Sequence, residues 1–166
     1  MKGKIIYELN RLLKRSRNFA SKPIDKETLK KILDAGTYAP YGLNPPQPWK
    51  FIGILGNKAL SISRKLDSNS SCVVLCFSPK VKDYYNQLTN FGSTFASIYN
   101  MVLQAISYGI TYDIVFQVNE ELKESIYRDF NIKNEEYILS AIVFFGYSAQ
   151  KVEPKQAQRN VIWRIE

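Results

Sequence analysis

Residues 72 to 77 read Cys-Val-Val-Leu-Cys-Phe, the longest uncharged apolar run in the chain. A short continuous run of this kind is typical of a strand that has no solvent-exposed face. It is far shorter than the roughly 18 residues that a membrane-spanning helix requires. The run therefore predicts a buried strand in a globular domain.

Helices and strands alternate on both sides of this strand. Asp25 is the expected N-cap of a helix whose apolar stripe consists of Leu29, Ile32 and Leu33. The order of the elements predicts one domain over residues 1–166 in which helices pack on a sheet. The other predicted helices cover residues 4–15, 57–66, 93–108 and 120–130, and the other predicted strands cover residues 49–55, 110–116 and 137–147.

The segment from Pro40 to Pro48 interrupts this alternation. It holds four of the seven prolines of the chain. Because proline lacks a backbone donor and restricts the residue before it, the segment cannot be a helix and is stiff. A stiff loop is a suitable place for a binding site.

The helix predicted over residues 93–108 contains no charged residue, and apolar side chains surround most of it. A helix of this kind is buried on more than one side. It can be a central core helix, but a subunit interface fits better, because obligate dimer interfaces resemble a domain core. We therefore expect a homodimer, with Met101 and Val102 in the interface.

The net charge of the chain is +8, and ten of its 23 lysines and arginines lie within the first 31 residues. This excess allows nucleic acid, an anionic surface or a phosphorylated ligand as a partner. No zinc-ligand pattern, RNP-like aromatic signature or basic leucine zipper accompanies it. A basic nucleic-acid-binding module is therefore the weaker alternative.

The residue types that the sequence lacks exclude several reactions. There is no histidine, which rules out a Ser-His-Asp triad, a Cys-His pair and a His-ligated metal. Cys72 and Cys76 do not have the Cys-x-x-Cys spacing of redox and zinc sites, and we expect them to be buried thiols. The eight glycines form neither a dinucleotide-binding nor a Walker A pattern. Demanding chemistry must therefore come from a bound cofactor.

Charged residues interrupt the first residues of the chain, which read Met-Lys-Gly-Lys-Ile-Ile-Tyr-Glu. This stretch lacks the apolar region of a secretory signal. We therefore expect a cytoplasmic protein.

Three consecutive segments carry a recognisable pattern. They read Lys14-Arg15-Ser16-Arg17-Asn18-Phe19 with Lys22-Pro23 after it, then Ala39-Pro40-Tyr41-Gly42-Leu43-Asn44, and finally Gln47-Pro48-Trp49-Lys50-Phe51. Their order and spacing resemble the opening of the FMN-dependent nitroreductase family, which runs Arg-Arg-Ser-x-Arg-x-Phe, Lys-Pro, Ala-Pro-Ser-x-x-Asn and Gln-Pro-Trp-x-Phe. Weaker agreement continues to Lys155, so the resemblance covers nearly the whole chain.

The resemblance implies an α+β sandwich in which helices flank a mixed, mostly antiparallel sheet, assembled as a homodimer with FMN at the interface. It implies an NAD(P)H-dependent oxidoreductase that passes electrons to an electron-poor acceptor, such as a nitroaromatic or a quinone, by a ping-pong mechanism. Since FMN would carry the chemistry, the resemblance implies no catalytic side chain and no metal.

The resemblance also implies roles for individual residues. Arg17 would lie near N1 and the C2 carbonyl of the flavin, where a fixed cation stabilises the reduced form. Four residues would hold the FMN phosphate through charge-assisted hydrogen bonds, namely Lys14, Arg15, Ser16 and Lys155. Contacts to the flavin ring would come from Tyr41, Gly42 and Asn44 of the proline-rich loop, with Asn44 from the partner subunit, and from the backbone of Phe116 and Gln117 opposite N5.

The sequence departs from the family pattern at four places, one of which is the extra residue that Pro45-Pro46 places between Asn44 and Gln47. The loop is one residue shorter between Ser16 and Arg17, Tyr41 replaces a serine, and Phe116-Gln117 stands where the family has Gly-Gly. The bulkier flavin wall favours a specialised or blocked pocket. A flavin-binding protein with little or no turnover is therefore the alternative to the enzyme.

Overall fold

The computed structural model describes residues 8–13, 15–42, 47 and 49–150. Residues 8–11 are helical, inside the helix predicted over residues 4–15. Each further element overlaps a predicted one. The helices are α1 (Lys26–Thr37), α2 (Asn57–Arg64), α3 (Tyr84–Ser107) and α4 (Glu120–Asp129), and the strands are β1 (Lys50–Leu55), β2 (Cys72–Pro79), β3 (Ile110–Val115) and β4 (Tyr137–Tyr147).

The described strands form one sheet in the order β1-β2-β4-β3, and every neighbouring pair is antiparallel. β2 lies inside the sheet, where Cys72 is opposite Leu55 of β1 and Phe145 of β4. Residues 72–78 are all buried, which confirms the prediction of a strand without a solvent-exposed face. Burial raises the pKa of the Cys72 thiol to about 12 and also raises the pKa of Cys76. Both cysteines are therefore protonated, unreactive thiols at neutral pH.

Helices cover both faces of the sheet. On one face, Ile32 of α1 and Met101 of α3 pack in an apolar cluster with Val143 of β4. On the other face, Ile62 of α2 and Ile126 of α4 belong to a second cluster. This arrangement confirms the predicted α+β sandwich with flanking helices. The described strands pair only antiparallel, whereas the prediction is a mixed, mostly antiparallel sheet.

A helix cap and a glycine turn determine where α1 and β3 begin. α1 begins as predicted, because the backbone N–H of Thr28 donates to the Asp25 carboxylate (2.8 Å) and lowers the pKa of that carboxyl. Gly109 lies between α3 and β3 with φ at +71°, in the left-handed region that favours glycine. The resulting tight turn brings β3 back along the sheet as its edge strand.

Helix α3 differs from its prediction in length and in what it buries. It begins at Tyr84 rather than Ser93, because Asp83 caps it by accepting a backbone hydrogen bond of 2.8 Å. It carries no charge along its length, yet no helix among the described residues is long and apolar enough to cross a membrane. Met101 and Val102 are 0% and 2% exposed and lie in the core of this chain. The prediction that these two side chains line an interface is therefore wrong, since they pack within one chain.

Candidate functional site

The segment of residues 15–19 runs along the edge strand of the sheet. Arg15 forms an isolated parallel bridge with Tyr112 of β3, and the backbone N–H of Ser16 donates to the Tyr112 carbonyl oxygen (2.8 Å). Farther along, Phe19 forms an isolated antiparallel bridge with Ser148. Because a backbone bridge lies at each end, the residues between them are held close to the sheet.

Asp113 of β3 holds two of the predicted site residues. Its Oδ1 accepts a hydrogen bond from Nε of Arg15 at 2.6 Å, and its Oδ2 accepts one from Nε of Arg17 at 2.9 Å. Nη2 of Arg15 also donates to the carbonyl oxygen of Ile114 at 2.6 Å. The Asp113 side chain is 2% exposed, whereas those of the arginines are 52% and 55% exposed. A buried carboxylate thus anchors two arginines that remain accessible to solvent.

The sequence interpretation missed Asp113, although a signal for it is present. Asp113 is the lone charged residue in β3, which reads Ile-Thr-Tyr-Asp-Ile-Val. A carboxylate in a strand of this kind is expected to be buried, and a buried charge needs a cationic partner. The basic segment with Arg15 and Arg17 was the obvious supplier of that partner.

Phe19 is the last residue of the 15–19 segment, and its ring packs against β4. Its backbone N–H donates to Oδ1 of Asn69 (2.8 Å), and its carbonyl oxygen accepts a hydrogen bond from Nδ2 of the same side chain (3.0 Å). The Phe19 ring lies against Gly146, where an added Cβ would come within 2.6 Å of Cδ1. Glycine is therefore required at position 146 by the close approach of the ring.

We predict that Gly146→Ala destabilises the chain by about 1–3 kcal/mol, the usual cost of overpacking a core. The clash should push Phe19, with the Asn69 side chain that is bonded to its backbone, away from β4. Residues 15–19 should shift with it, which would weaken anion binding by Arg15 and Arg17. Denaturant unfolding measures the first effect. Phe19→Leu in the Gly146→Ala background should recover part of the loss, so a purely additive double-mutant cycle would count against the contact.

The described part of the proline-rich loop packs on α3. The backbone N–H of Gly42 donates to Oγ of Ser93 (3.3 Å), and a Cβ on Gly42 would lie 2.6 Å from Cγ2 of Thr89. Tyr41 lies edge-on to Trp49, with ring centroids 5.7 Å apart. The beginning of the loop is therefore fixed against α3. Three further predicted site residues lie outside the described residues, namely Lys14, Asn44 and Lys155.

Phe116 and Gln117 directly follow β3 and border a cavity. Phe116 is 55% exposed, and its ring lies edge-on to Phe95 of α3 with centroids 5.5 Å apart. The cavity has a volume of about 370 Å³ and is also lined by Lys123 and Leu139. The backbone expected opposite flavin N5 therefore carries an aromatic side chain that reaches solvent.

The donor chemistry beside β3 fits a phosphate ester. Two guanidinium groups share one carboxylate at Asp113, which leaves a net positive charge for an anion. Burial raises the pKa of Tyr112, so this neighbouring hydroxyl stays neutral and adds no negative charge. The Ser16 hydroxyl donates to the carbonyl oxygen of Asn18 (3.0 Å), and rotation about its C–O bond can redirect that hydrogen.

Comparison with known proteins finds one family model that matches part of the chain. Residues 14–72 match the model of the nitroreductase family, and this range contains the segments from Lys14 to Phe51 that carry the resemblance. No curated protein matches the chain. The resemblance to the nitroreductase family is therefore confirmed for this range.

Several solved structures share the fold over nearly the whole chain. A nitroreductase family protein from Streptococcus pneumoniae TIGR4 is 16% identical with a TM-score of 0.78, covering 96% of this chain and 100% of that one. A protein from Desulfovibrio desulfuricans, solved in complex with FMN, is 19% identical with a TM-score of 0.74, covering 92% and 91%. A nitroreductase family protein from Clostridium difficile 630 is 25% identical with a TM-score of 0.71, covering 88% and 86%. The chain therefore has the nitroreductase fold.

Proposed function

We propose that this chain, which has the nitroreductase fold and carries nitroreductase family sequence over residues 14–72, is an FMN-dependent oxidoreductase formed by one domain over residues 1–166. It would pass electrons from NAD(P)H to an electron-poor acceptor, such as a nitroaromatic or a quinone, in a ping-pong reaction. The observation that supports this most is the pair of arginines on Asp113. The cytoplasmic location stays a prediction from the sequence.

The residues of the chain would bind and orient the cofactor rather than react. Arg15 and Ser16, with Lys14 and Lys155, would hold the phosphate, and Arg17 would face the edge of the flavin ring that becomes negative on reduction. FMN, when bound, would supply the two-electron hydride chemistry. No side chain needs to act as an acid or base, in agreement with a sequence that has no histidine. The ring would be enclosed by Tyr41, Gly42, Asn44, Phe116 and Gln117.

The aromatic side chain of Phe116 would select acceptors at the flavin. Its backbone N–H can face N5 as a glycine would, but its ring, held edge-on by Phe95, occupies space that a glycine pair leaves open. A flat aromatic or quinonoid acceptor can pack on such a ring, whereas a bulky one would be excluded. The same bulk supports the second candidate, a flavin-binding protein with little turnover.

A second copy of this chain would cover the outer face of α3. Four large side chains at helical spacing form an exposed apolar stripe there, namely Tyr85, Leu88, Phe95 and Tyr99. Their exposed fractions run from 39% to 76%, and the helix offers no charge to water. An apolar stripe without charged residues resembles the buried centre of a homodimer interface. The dimer would also bring Asn44 of the partner subunit to the flavin.

We expect the purified protein to be yellow, or to bind added FMN and quench its fluorescence at micromolar concentration. Anaerobic NADH or NADPH should then bleach the flavin absorbance, and a nitroaromatic or a quinone should restore it. Tight FMN binding without bleaching by either nucleotide would favour the flavin-binding protein over the enzyme. A colourless protein that fails to bind FMN but binds DNA or RNA in a salt-sensitive manner would contradict the proposal in favour of the nucleic-acid-binding module.

A further inference from the structure

We propose that Asp113 is a positioning residue for FMN binding, because it fixes Arg15 and Arg17 before the ligand arrives. This inference rests on the proposed function. The carboxylate would not touch FMN itself. It would act through the two arginines that it holds.

The hydrogen bonds to Asp113 use the inner nitrogen of each guanidinium group. Nε of Arg15 and Nε of Arg17 each donate to one carboxylate oxygen, so among the described contacts Nη1 of Arg15 and both Nη groups of Arg17 are left for a ligand. Within the residues that the structure describes, Asp113 is the only acceptor for the Arg17 side chain. The Arg15 side chain has one further acceptor there, the Ile114 carbonyl oxygen.

Anchoring an arginine in advance favours ligand binding because a long side chain loses much rotamer freedom when a ligand immobilises it. Asp113 itself cannot move away easily, since it is a buried residue of β3. Both arginines are therefore tied to the rigid sheet rather than to a loop. A rigid support of this kind is what a precise binding site requires.

Asp113 also has an opposing effect, because its negative charge repels a phosphate. The arginine side chains are about half exposed, so solvent and salt weaken this long-range repulsion. The directional hydrogen bonds from the Nη groups depend on placement and are weakened less. We therefore expect the anchoring effect to exceed the repulsion.

The test compares FMN with riboflavin, which has the same ring and ribityl chain but no phosphate. Asp113→Asn keeps the shape of the side chain but has one acceptor oxygen and no charge, so it releases one arginine and holds the other, with its phosphate contact, more weakly. We expect FMN affinity to fall by about 10- to 100-fold, the loss of one charge-assisted hydrogen bond. Riboflavin affinity should change much less, so the preference for FMN over riboflavin should fall.

Asp129→Asn is the matched control. Asp129 pairs with Arg128 at 3.4 Å on the surface, with half of its side chain exposed. Like Asp113→Asn, the control removes one negative charge from the protein and disrupts an ion pair with an arginine. It should leave the preference for FMN over riboflavin unchanged.

Arg15→Lys tests the same idea without altering the buried carboxylate. Lysine keeps the charge but cannot hold Asp113 and Ile114 through a planar fork while presenting further donors. The preference for FMN should again fall. An unchanged preference would overturn the inference even if Asp113→Asn does not fold.

Three results would overturn the inference. They are tighter FMN binding by Asp113→Asn, an unchanged preference for FMN in Arg15→Lys, and an equal loss of both ligands in a folded Asp113→Asn protein. In each of these cases the unmodified protein still binds FMN, so the proposed function stands. If the unmodified protein binds neither FMN nor riboflavin, the proposed function fails and Asp113 has no such role.

Discussion

Leu88→Asp is expected to leave the chain folded and to convert a homodimer into a monomer. Leu88 is 48% exposed in one chain and lies in the middle of the apolar stripe on α3. In the dimer an aspartate there would be buried without a partner, which costs several kcal/mol. Two-fold symmetry places the charge on both sides of the interface. Dimer affinity should therefore fall by about a thousandfold or more, as sedimentation or light scattering can measure.

FMN binding should weaken together with assembly, because Asn44 of the partner subunit is expected at the flavin. Asn86→Asp is the control for the added charge. Asn86 is exposed on the same helix, but two residues along a helix rotate it to the face opposite Leu88. The Asn86→Asp protein should therefore remain a dimer. An unmodified protein that is a monomer with FMN fully bound would contradict the dimer proposal.

Met101→Asp should behave differently from Leu88→Asp, although both change the same helix. Met101 is 0% exposed and packs in the core between α3, α1 and the sheet. A carboxylate at this position is buried in each separate chain, so the chain should fail to fold rather than dissociate. Circular dichroism distinguishes an unfolded chain from a folded monomer. A folded, monomeric Met101→Asp protein would show that this part of α3 is not core.

The sequence predicts the central elements of the fold well because their signals are local. The apolar run of β2 and the Asp25 cap of α1 each depend on residues close together in the chain, and both are confirmed. The start of α3 is missed because four of the seven residues in its first two turns are polar, namely Asn86, Gln87, Thr89 and Asn90. The first two residues of the helix, Tyr84 and Tyr85, are exposed in the structure and so do not mark a buried helix face. The capping side chain of Asp83 is the local signal that could have placed the start.

The sequence predicts the arginines of the site but not the carboxylate that holds them, for a physical reason. Arg15, Ser16 and Arg17 belong to one short motif and can be read from it. Their anchor, Asp113, is 98 residues from Arg15 and 96 from Arg17, and a contact of that range depends on how the sheet forms. The resemblance assigns the two arginines to different parts of FMN. The structure instead brings both to one carboxylate, which makes their separate roles an experimental question.

Arg17→Ala is expected to alter the reduction potential of bound flavin more than its affinity. If Arg17 faces the N1 edge of the ring, the expected phosphate contacts of Lys14, Arg15 and Lys155 remain and FMN should bind with a few-fold loss. The anionic reduced flavin would lose a charge-assisted contact of about 1.5–3 kcal/mol. That loss lowers the two-electron potential by about 30–65 mV and slows reduction by NAD(P)H. Equilibration with a reference dye of known potential measures the shift.

Arg15→Ala and Lys155→Ala are the controls, and both should show the reverse pattern. Each should weaken FMN binding and leave the potential of the bound fraction almost unchanged, since the phosphate is not reduced. Arg15 is the sharper control because it shares the Asp113 carboxylate with Arg17, so damage to the anchor alone would affect both variants alike. If Arg17→Ala and Arg15→Ala lose FMN equally and neither shifts the potential, Arg17 binds the phosphate. The shorter loop between Ser16 and Arg17 would then have moved this arginine from the ring to the phosphate.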